Sequence, residues 1–180
     1  MKYLYTPVTL IFLISTLLLS CKKSSTTPAL VTFMKLDTNS KAISYNSCFT
    51  AEIILGGQPQ TIITSQGGTG DFNITLNQAP NNLKTGQVYE AQTIKSLATD
   101  SYARFTYVPN SSANSGYGYS SSVYNPIGSV TLTEVTSTSI KGTFSTGVFQ
   151  DYSGLDLLYT ITNGTFCSGN SVYTVVISGN

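Results

Sequence analysis

The sequence predicts an all-β protein, an antiparallel β-sandwich or a flattened barrel of about ten strands. Short segments in which apolar and polar residues alternate recur between clusters of Gly, Asn, Pro and Ser. β-Branched and aromatic residues, which favour strands, are abundant, and no segment after residue 28 keeps the periodicity of a helix. Many short strands separated by turn signals are typical of sandwiches and barrels.

Ten segments carry the strand pattern. The alternation is clearest at Phe72, Ile74 and Leu76, and again at Val130 and Leu132. The predicted strands are residues 30–36, 48–55, 61–65, 71–76, 88–93, 103–108, 128–135, 139–146, 155–163 and 172–178. Turns are predicted at Gly56-Gly57, Gly67-Gly68 and Asn81-Asn82, and a long loop at residues 109–126.

The N-terminus has the pattern of a secretory signal peptide. Lys2 precedes an almost uninterrupted apolar run at residues 8–19, which is too short for a permanent membrane span. The sequence Leu18-Leu19-Ser20-Cys21 follows and resembles the lipobox of bacterial lipoproteins. We therefore expect a signal peptide at residues 1–20, a flexible tether at 21–28 and one all-β domain at 29–180. The alternative is an uncleaved membrane anchor with an incidental cysteine.

The resemblance to a lipobox implies that Cys21 is lipidated and that its acyl chains hold the protein on a membrane. Lys22 stands where an inner-membrane retention signal would carry Asp, which favours the outer membrane. No acidic run follows the cysteine, and this favours the periplasmic face, with the cell surface left open.

The composition argues against two classes of function: nucleic-acid binding, and chemistry that depends on histidine as a base or metal ligand. Removal of Lys2 with the signal peptide leaves eight basic and eight acidic side chains, too little positive charge for nucleic-acid binding. The chain contains no histidine, the commonest general base and transition-metal ligand. We expect no catalytic residue, no metal and no cofactor. A hydrolase is the least favoured alternative, because no spacing singles out a pair among the eight carboxylates: Asp37, Glu52, Asp71, Glu90, Asp100, Glu134, Asp151 and Asp156.

Two cysteines remain once Cys21 is assigned to the lipid. In an oxidising compartment, Cys48 and Cys167 are predicted to form a disulfide, the alternative being two separate buried thiols. Asp151 and Asp156 flank a short segment with a glycine, where either a weak calcium site or a polar hairpin turn would fit.

Tyrosines concentrate around the long loop and form the candidate ligand surface. Tyr offers a flat apolar face and a hydroxyl, which suits stacking on sugar rings. The alternative is that the strand tyrosines and loop tyrosines pack into the domain. The residues are Tyr102, Tyr107, Tyr117, Tyr119 and Tyr124.

The last third of the chain carries three motifs: GSVTLTE at residues 128–134, IKGTFS at 140–145 and ITNGTF at 161–166. They resemble strands of uncharacterised lipoprotein families common in the Bacteroidetes, which implies a similar fold and location. Phe144 and Phe166 are expected to point into the core. Asn163-Gly164 is interpreted as part of a strand, with a tight turn as the alternative.

These observations predict a non-enzymatic envelope lipoprotein that acts as a binding or accessory module. Its expected partners are the membrane and either a glycan or an envelope protein. The main alternative is a lipocalin-like barrel that carries a small apolar ligand in its interior.

Overall fold

A computed structural model of the protein describes residues 29–39, 41–55, 57–66, 70–97, 99–109, 119–149 and 156–177, and these are nearly all β. The predicted all-β fold is therefore confirmed. The signal peptide at 1–20 and the tether at 21–28 lie outside the described residues. The strands are β1 (Phe33–Thr38), β2 (Lys41–Tyr45), β3 (Ser47–Leu55), β4 (Gln58–Gln66), β5 (Gly70–Leu76), β6 (Val88–Ala91), β7 (Tyr102–Pro109), β8 (Tyr119–Ser120), β9 (Gly128–Val135), β10 (Ser139–Phe149) and β11 (Leu157–Ile177), with one turn of 3₁₀ helix at Pro80–Asn82.

The strands form a single sheet that closes on itself. Eight of them pair in the cyclic order β11, β3, β4, β5, β7, β6, β9, β10 and back to β11. β1 and β3 lie along successive parts of the same edge of β11, and β2 pairs with β1 outside the ring. The short strand β8 joins β7 to β10, beside the closure that β6 makes between β7 and β9. The result is a barrel with an attached β1–β2 hairpin.

The sequence predicted a purely antiparallel sheet, but the observed sheet is mixed. β3 runs parallel to β11, and β6 runs parallel to β7. Only Asn46 separates β2 from β3, so the chain continues in the direction of β2. That direction is also the direction of β11, because β1 is antiparallel to both β2 and β11.

Apart from shifts in strand bounds, the observed strands differ from the prediction in three places. β2 and β8 were not predicted, and β8 lies inside the expected long loop, of which residues 110–118 are outside the described ranges. The predicted strands 155–163 and 172–178 are parts of one strand, β11. Asn163 lies within it at a positive φ of 51°, where the pairing register shifts, so it forms a bulge and the tight-turn interpretation is wrong. Asparagine tolerates this left-handed conformation better than most residues.

The two Gly-Thr-Phe segments pair with each other. Thr143 of β10 lies opposite Thr165 of β11, so that Gly142 faces Phe166 and Phe144 faces Gly164. A Cβ atom built on Gly164 would lie 2.6 Å from the Phe144 ring, and one built on Gly142 would lie 2.6 Å from the Phe166 ring. Each glycine therefore leaves the space that the phenylalanine of the other strand fills. Both rings point into the core, as predicted.

Aromatic rings from opposite walls meet in the middle of the barrel. β5 and β10 are four steps apart in either direction around the eight-stranded ring, yet Phe72 and Phe144 stack with their ring centroids 5.1 Å apart. Phe105 and Phe166 pack on Phe144 at 6.4 and 6.3 Å. The interior of the barrel is therefore filled by side chains here, as is usual for a barrel of eight strands.

We predict that Gly164→Ala destabilises the protein by about 1–3 kcal/mol, because the added methyl group overlaps the Phe144 ring and the Phe144 carbonyl oxygen. Gly169→Ala is the matched control, since its Cβ would meet the nearest atoms at 3.8 Å, and its effect should stay within about 0.5 kcal/mol. Urea denaturation followed by circular dichroism measures both. Equal stabilities of the two variants would contradict the reciprocal packing.

Candidate functional site

The structure does not bring the predicted tyrosines into one surface. Tyr107 is buried and packs edge-on against Tyr159 at 5.3 Å, and Tyr119 packs on the same ring at 5.7 Å. Tyr102 is half-buried on the outer side of β7, and Tyr124 is 64% exposed. The fifth, Tyr117, lies outside the described residues. The structure therefore joins Tyr107 and Tyr119 through a tyrosine that was not predicted, and places Tyr102 and Tyr124 apart from them.

The two cysteines are buried free thiols and do not lie at disulfide distance, so the predicted disulfide is wrong. The pairing of Phe49 with Gly169 places Ser168, not Cys167, beside Cys48. Neighbouring residues of a strand point to opposite faces of the sheet. Cys167 accordingly lies on the outer side, opposite Lys141, while Ser168 points inward and forms a 2.6 Å hydrogen bond with Thr50.

The other predicted site residues are placed only in part. Cys21 and Asp151 lie outside the described residues, and Asp156 is exposed just before β11. In the described part of the chain, no group of three His, Cys, Asp or Glu side chains is arranged so that it could hold a metal ion. The calcium site and the lipidation site both stay predictions.

A groove of about 360 Å³ lies on the outer side of the barrel, over β3, β4, β5 and β7. Its apolar surface comes from outward-facing isoleucines of β3 and β4 and from two residues at the rim: Ile53, Ile62, Leu55 and Val123. Its polar surface consists of amides, hydroxyls and one cation: Gln60, Gln92, Thr75, Thr106, Ser120 and Arg104. The wall near Val123 is held by a hydrogen bond from the amide of Ile94 to the carbonyl of Val123, 3.0 Å long.

Arg104 is the only arginine of the chain, and among the described residues that line this groove it is the only charged one. It extends from β7 across Thr75 of β5 and donates a 2.7 Å hydrogen bond from Nη2 to Oε1 of Gln60 on β4. Its Nε atom is buried without a hydrogen-bond partner, and within the described ranges no carboxylate lies close enough to form an ion pair with it. The groove therefore contains a positive charge that the described protein does not neutralise.

Gln60 fixes the orientation of the guanidinium group. Its carbonyl oxygen accepts the bond from Arg104, and its amide nitrogen donates to Oδ1 of Asn77 at 3.4 Å. Since both ends of the amide are engaged, the side chain cannot turn without breaking one of these bonds. The polar side of the groove is thus arranged before any ligand is present.

A second, more open groove of about 410 Å³ lies over β9, β10 and β11 on another side of the barrel. Hydroxyl groups of Thr131, Thr143 and Thr165, which are direct neighbours across the three strands, dominate its surface. Among the described residues, neither groove is lined by Asp, Glu or Cys.

Sequence reasoning missed the first groove completely. A signal was present, because the only arginine stands in the middle of a strand at a position that alternates with the inward residues Ala103 and Phe105. The sequence could not show that Gln60, Ile53 and Ile62 share its face, since this depends on the register of four strands.

Comparison with family models, curated proteins and solved structures gives no match to this chain. In the described ranges, no helix has the length and hydropathy that crossing a membrane would require.

We predict that stability falls at alkaline pH in a way that depends on Cys48. Burial raises the pKa of this thiol from 9.0 to about 12, although a hydrogen bond with Ser168 acts in the opposite direction. A thiol whose pKa is raised by folding contributes its full stability below pH 9 and loses it progressively as the pH rises toward 12. Compared with Cys48→Ala, the wild type should lose an additional ~1–2 kcal/mol between about pH 8 and 10.5.

Urea denaturation at a series of pH values measures this difference. Burial also raises the pKa of Tyr45 and Tyr89, so both proteins should become less stable above about pH 10. Parallel stability curves for wild type and variant would contradict a buried neutral thiol at position 48.

Proposed function

We propose that the protein is a lipoprotein of the outer membrane, anchored through acylated Cys21, and that its barrel is a non-enzymatic binding module with its ligand site in the outer groove around Arg104. The assignment of the ligand site rests on the groove itself, which combines an apolar floor, pre-arranged amides and a positive charge without an ionic partner. Binding sites in proteins commonly combine apolar surface with a few placed polar groups in a volume of this size.

The filled interior argues for a site on the outside. A lipocalin-like carrier needs an enclosed apolar cavity, but Phe72 and Phe144 stack across the described part of the barrel where that ligand would lie. The outer groove offers hydroxyl and amide groups beside Ile62, and these can form hydrogen bonds with the hydroxyl groups of a sugar. A glycan is therefore the ligand class that we favour over an apolar molecule.

The resemblance of residues 18–21 to a lipobox supports the anchor. The Gly-Thr-Phe motifs, which resemble those of uncharacterised Bacteroidetes lipoproteins, support the same location. In this arrangement the eight-residue tether would hold the barrel near the membrane surface while leaving its outer groove accessible.

We expect Cys21→Ala to abolish acylation, because the thiol of Cys21 is the proposed lipid acceptor. Metabolic labelling of cells with an alkyne fatty acid, followed by in-gel detection of the purified protein, measures it. Cys48→Ala is the matched control and should keep the label. Labelling of the Cys21→Ala variant, or no labelling of the wild type, would refute the anchor.

We expect Ile62→Trp to weaken glycan binding roughly tenfold or more, because the indole would occupy the floor of the groove. A glycan array probed with the purified protein identifies the ligand, and a titration gives its dissociation constant. Val88→Trp, at an exposed position of β6 that does not line the groove, should bind as the wild type does.

Loss of binding in Tyr124→Ala but not in Ile62→Trp would move the ligand site to the exposed tyrosine and contradict the groove. Circular dichroism spectra and urea midpoints of all variants show whether the barrel is intact.

A further inference from the structure

We infer that the groove binds a ligand through a carboxylate, which Arg104 receives. This inference rests on the proposed binding function of the groove and names the chemistry of its ligand. Arg104 is the only charged side chain among the described lining residues, and no described carboxylate neutralises it. A cation with this surrounding attracts an anion more strongly than it would in bulk water, because the groove walls exclude part of the solvent.

The guanidinium group of Arg104 has hydrogen-bond donors to spare. The guanidinium group has five N–H donors, one of which is used by Gln60. Nε is buried and out of reach of a ligand. Guanidinium groups bind carboxylates with two parallel hydrogen bonds, and the Nη donors that Gln60 leaves free are the ones that can receive a carboxylate from the groove. A neutral hydroxyl could accept from one of these donors but would not neutralise the charge.

The groove around Arg104 limits the size and the chemistry of the rest of the ligand. Ile53 and Ile62 lie beside the polar end of the groove and provide a short apolar floor, while Thr75, Thr106 and Gln92 provide hydrogen-bonding groups at its sides. A volume of about 360 Å³ accommodates a compact ligand of one or two sugar units or a short aliphatic chain. A hexuronic acid within a glycan and a short aliphatic carboxylic acid share the carboxylate and differ in their hydroxyl groups.

Saturation-transfer difference NMR on the mature, acylated protein in lipid nanodiscs tests the inference, with empty nanodiscs as the blank. The probes form two matched pairs: a digalacturonate with the corresponding neutral digalactoside, and butyrate with butanol. We expect one of the two carboxylates to bind and its neutral partner to bind more weakly. Which pair shows the effect identifies the source as an acidic glycan or an aliphatic acid.

Three variants separate the carboxylate contact from general effects. Arg104→Met should lower the affinity for the carboxylate roughly 10- to 100-fold and leave that for the neutral partner unchanged. Arg104→Lys keeps the positive charge but loses the planar, two-pronged guanidinium group. Its affinity for the carboxylate should therefore lie between those of the wild type and Arg104→Met. Lys141→Met, which removes a cation that is paired with Glu134 at 2.9 Å on another strand, should bind as the wild type does.

Arg104→Met removes a buried donor without a partner but also leaves the Gln60 carbonyl oxygen without its donor, so we expect a urea midpoint close to that of the wild type. Equal affinities for acid and neutral probes, or unchanged acid binding in Arg104→Met, would overturn the carboxylate inference and leave the groove as the binding site. Absence of binding by all four probes would overturn it as well. Glycan binding that is insensitive to Ile62→Trp would instead remove the groove from the proposed function.

Discussion

The reciprocal packing of two Gly-Thr-Phe segments is the contact on which the barrel depends. Gly142 and Gly164 each leave a gap in their own strand, and the phenylalanine of the opposite strand fills it. Because a shift of β11 by one residue would place a Cβ atom or a polar side chain under each ring, this contact fixes the register of β10 and β11. β11 in turn pairs with β1 and β3 along its other edge, so the register of these two further strands follows from it.

The same rings determine where a ligand can bind. Phe144, positioned by Gly164, reaches across the barrel to Phe72, and the two walls come close enough to exclude a lumen between them. The apolar residues of the inner face are thereby used in the core. The outer face keeps Ile53 and Ile62 beside Arg104, where burial against the core is not available to them. These two half-buried isoleucines form a small apolar surface next to the cation.

Local patterns in the sequence predicted what local chemistry determines. The inward direction of Phe144 and Phe166, the bounds of β9 and the all-β class follow from alternation and residue type. β2 was missed because its five residues contain only two inward apolar positions, Ile43 and Tyr45. β11 was predicted as two strands because its middle is rich in Gly, Ser and Asn, and pairing with neighbouring strands overrides that local preference.

The features that failed depend on pairing register. Cys48 and Cys167 are close in the sheet but point to opposite faces, a difference of one residue that spacing along the chain cannot reveal. The groove around Arg104 likewise exists only because Ile62, Thr75 and Arg104 form one row across three strands. Whether a side chain belongs to a site is therefore decided by which residues lie opposite it, and this information is absent from any single segment.

Arg104 is the residue that the fold explains least. A chain in which 9% of the residues are charged has placed its only arginine on a strand, half-buried, with its Nε atom unpaired. Leaving a buried donor without a partner costs about 1–3 kcal/mol, and an apolar residue of similar volume at this position would avoid that loss. Gln60 orients the guanidinium but removes only part of the loss, since it satisfies one donor and none of the charge. Positions at which a sequence departs from what its own stability favours are commonly functional sites. The groove supplies the physical reason in this case, because a bound carboxylate would neutralise the charge and accept hydrogen bonds from the Nη donors that Gln60 leaves free.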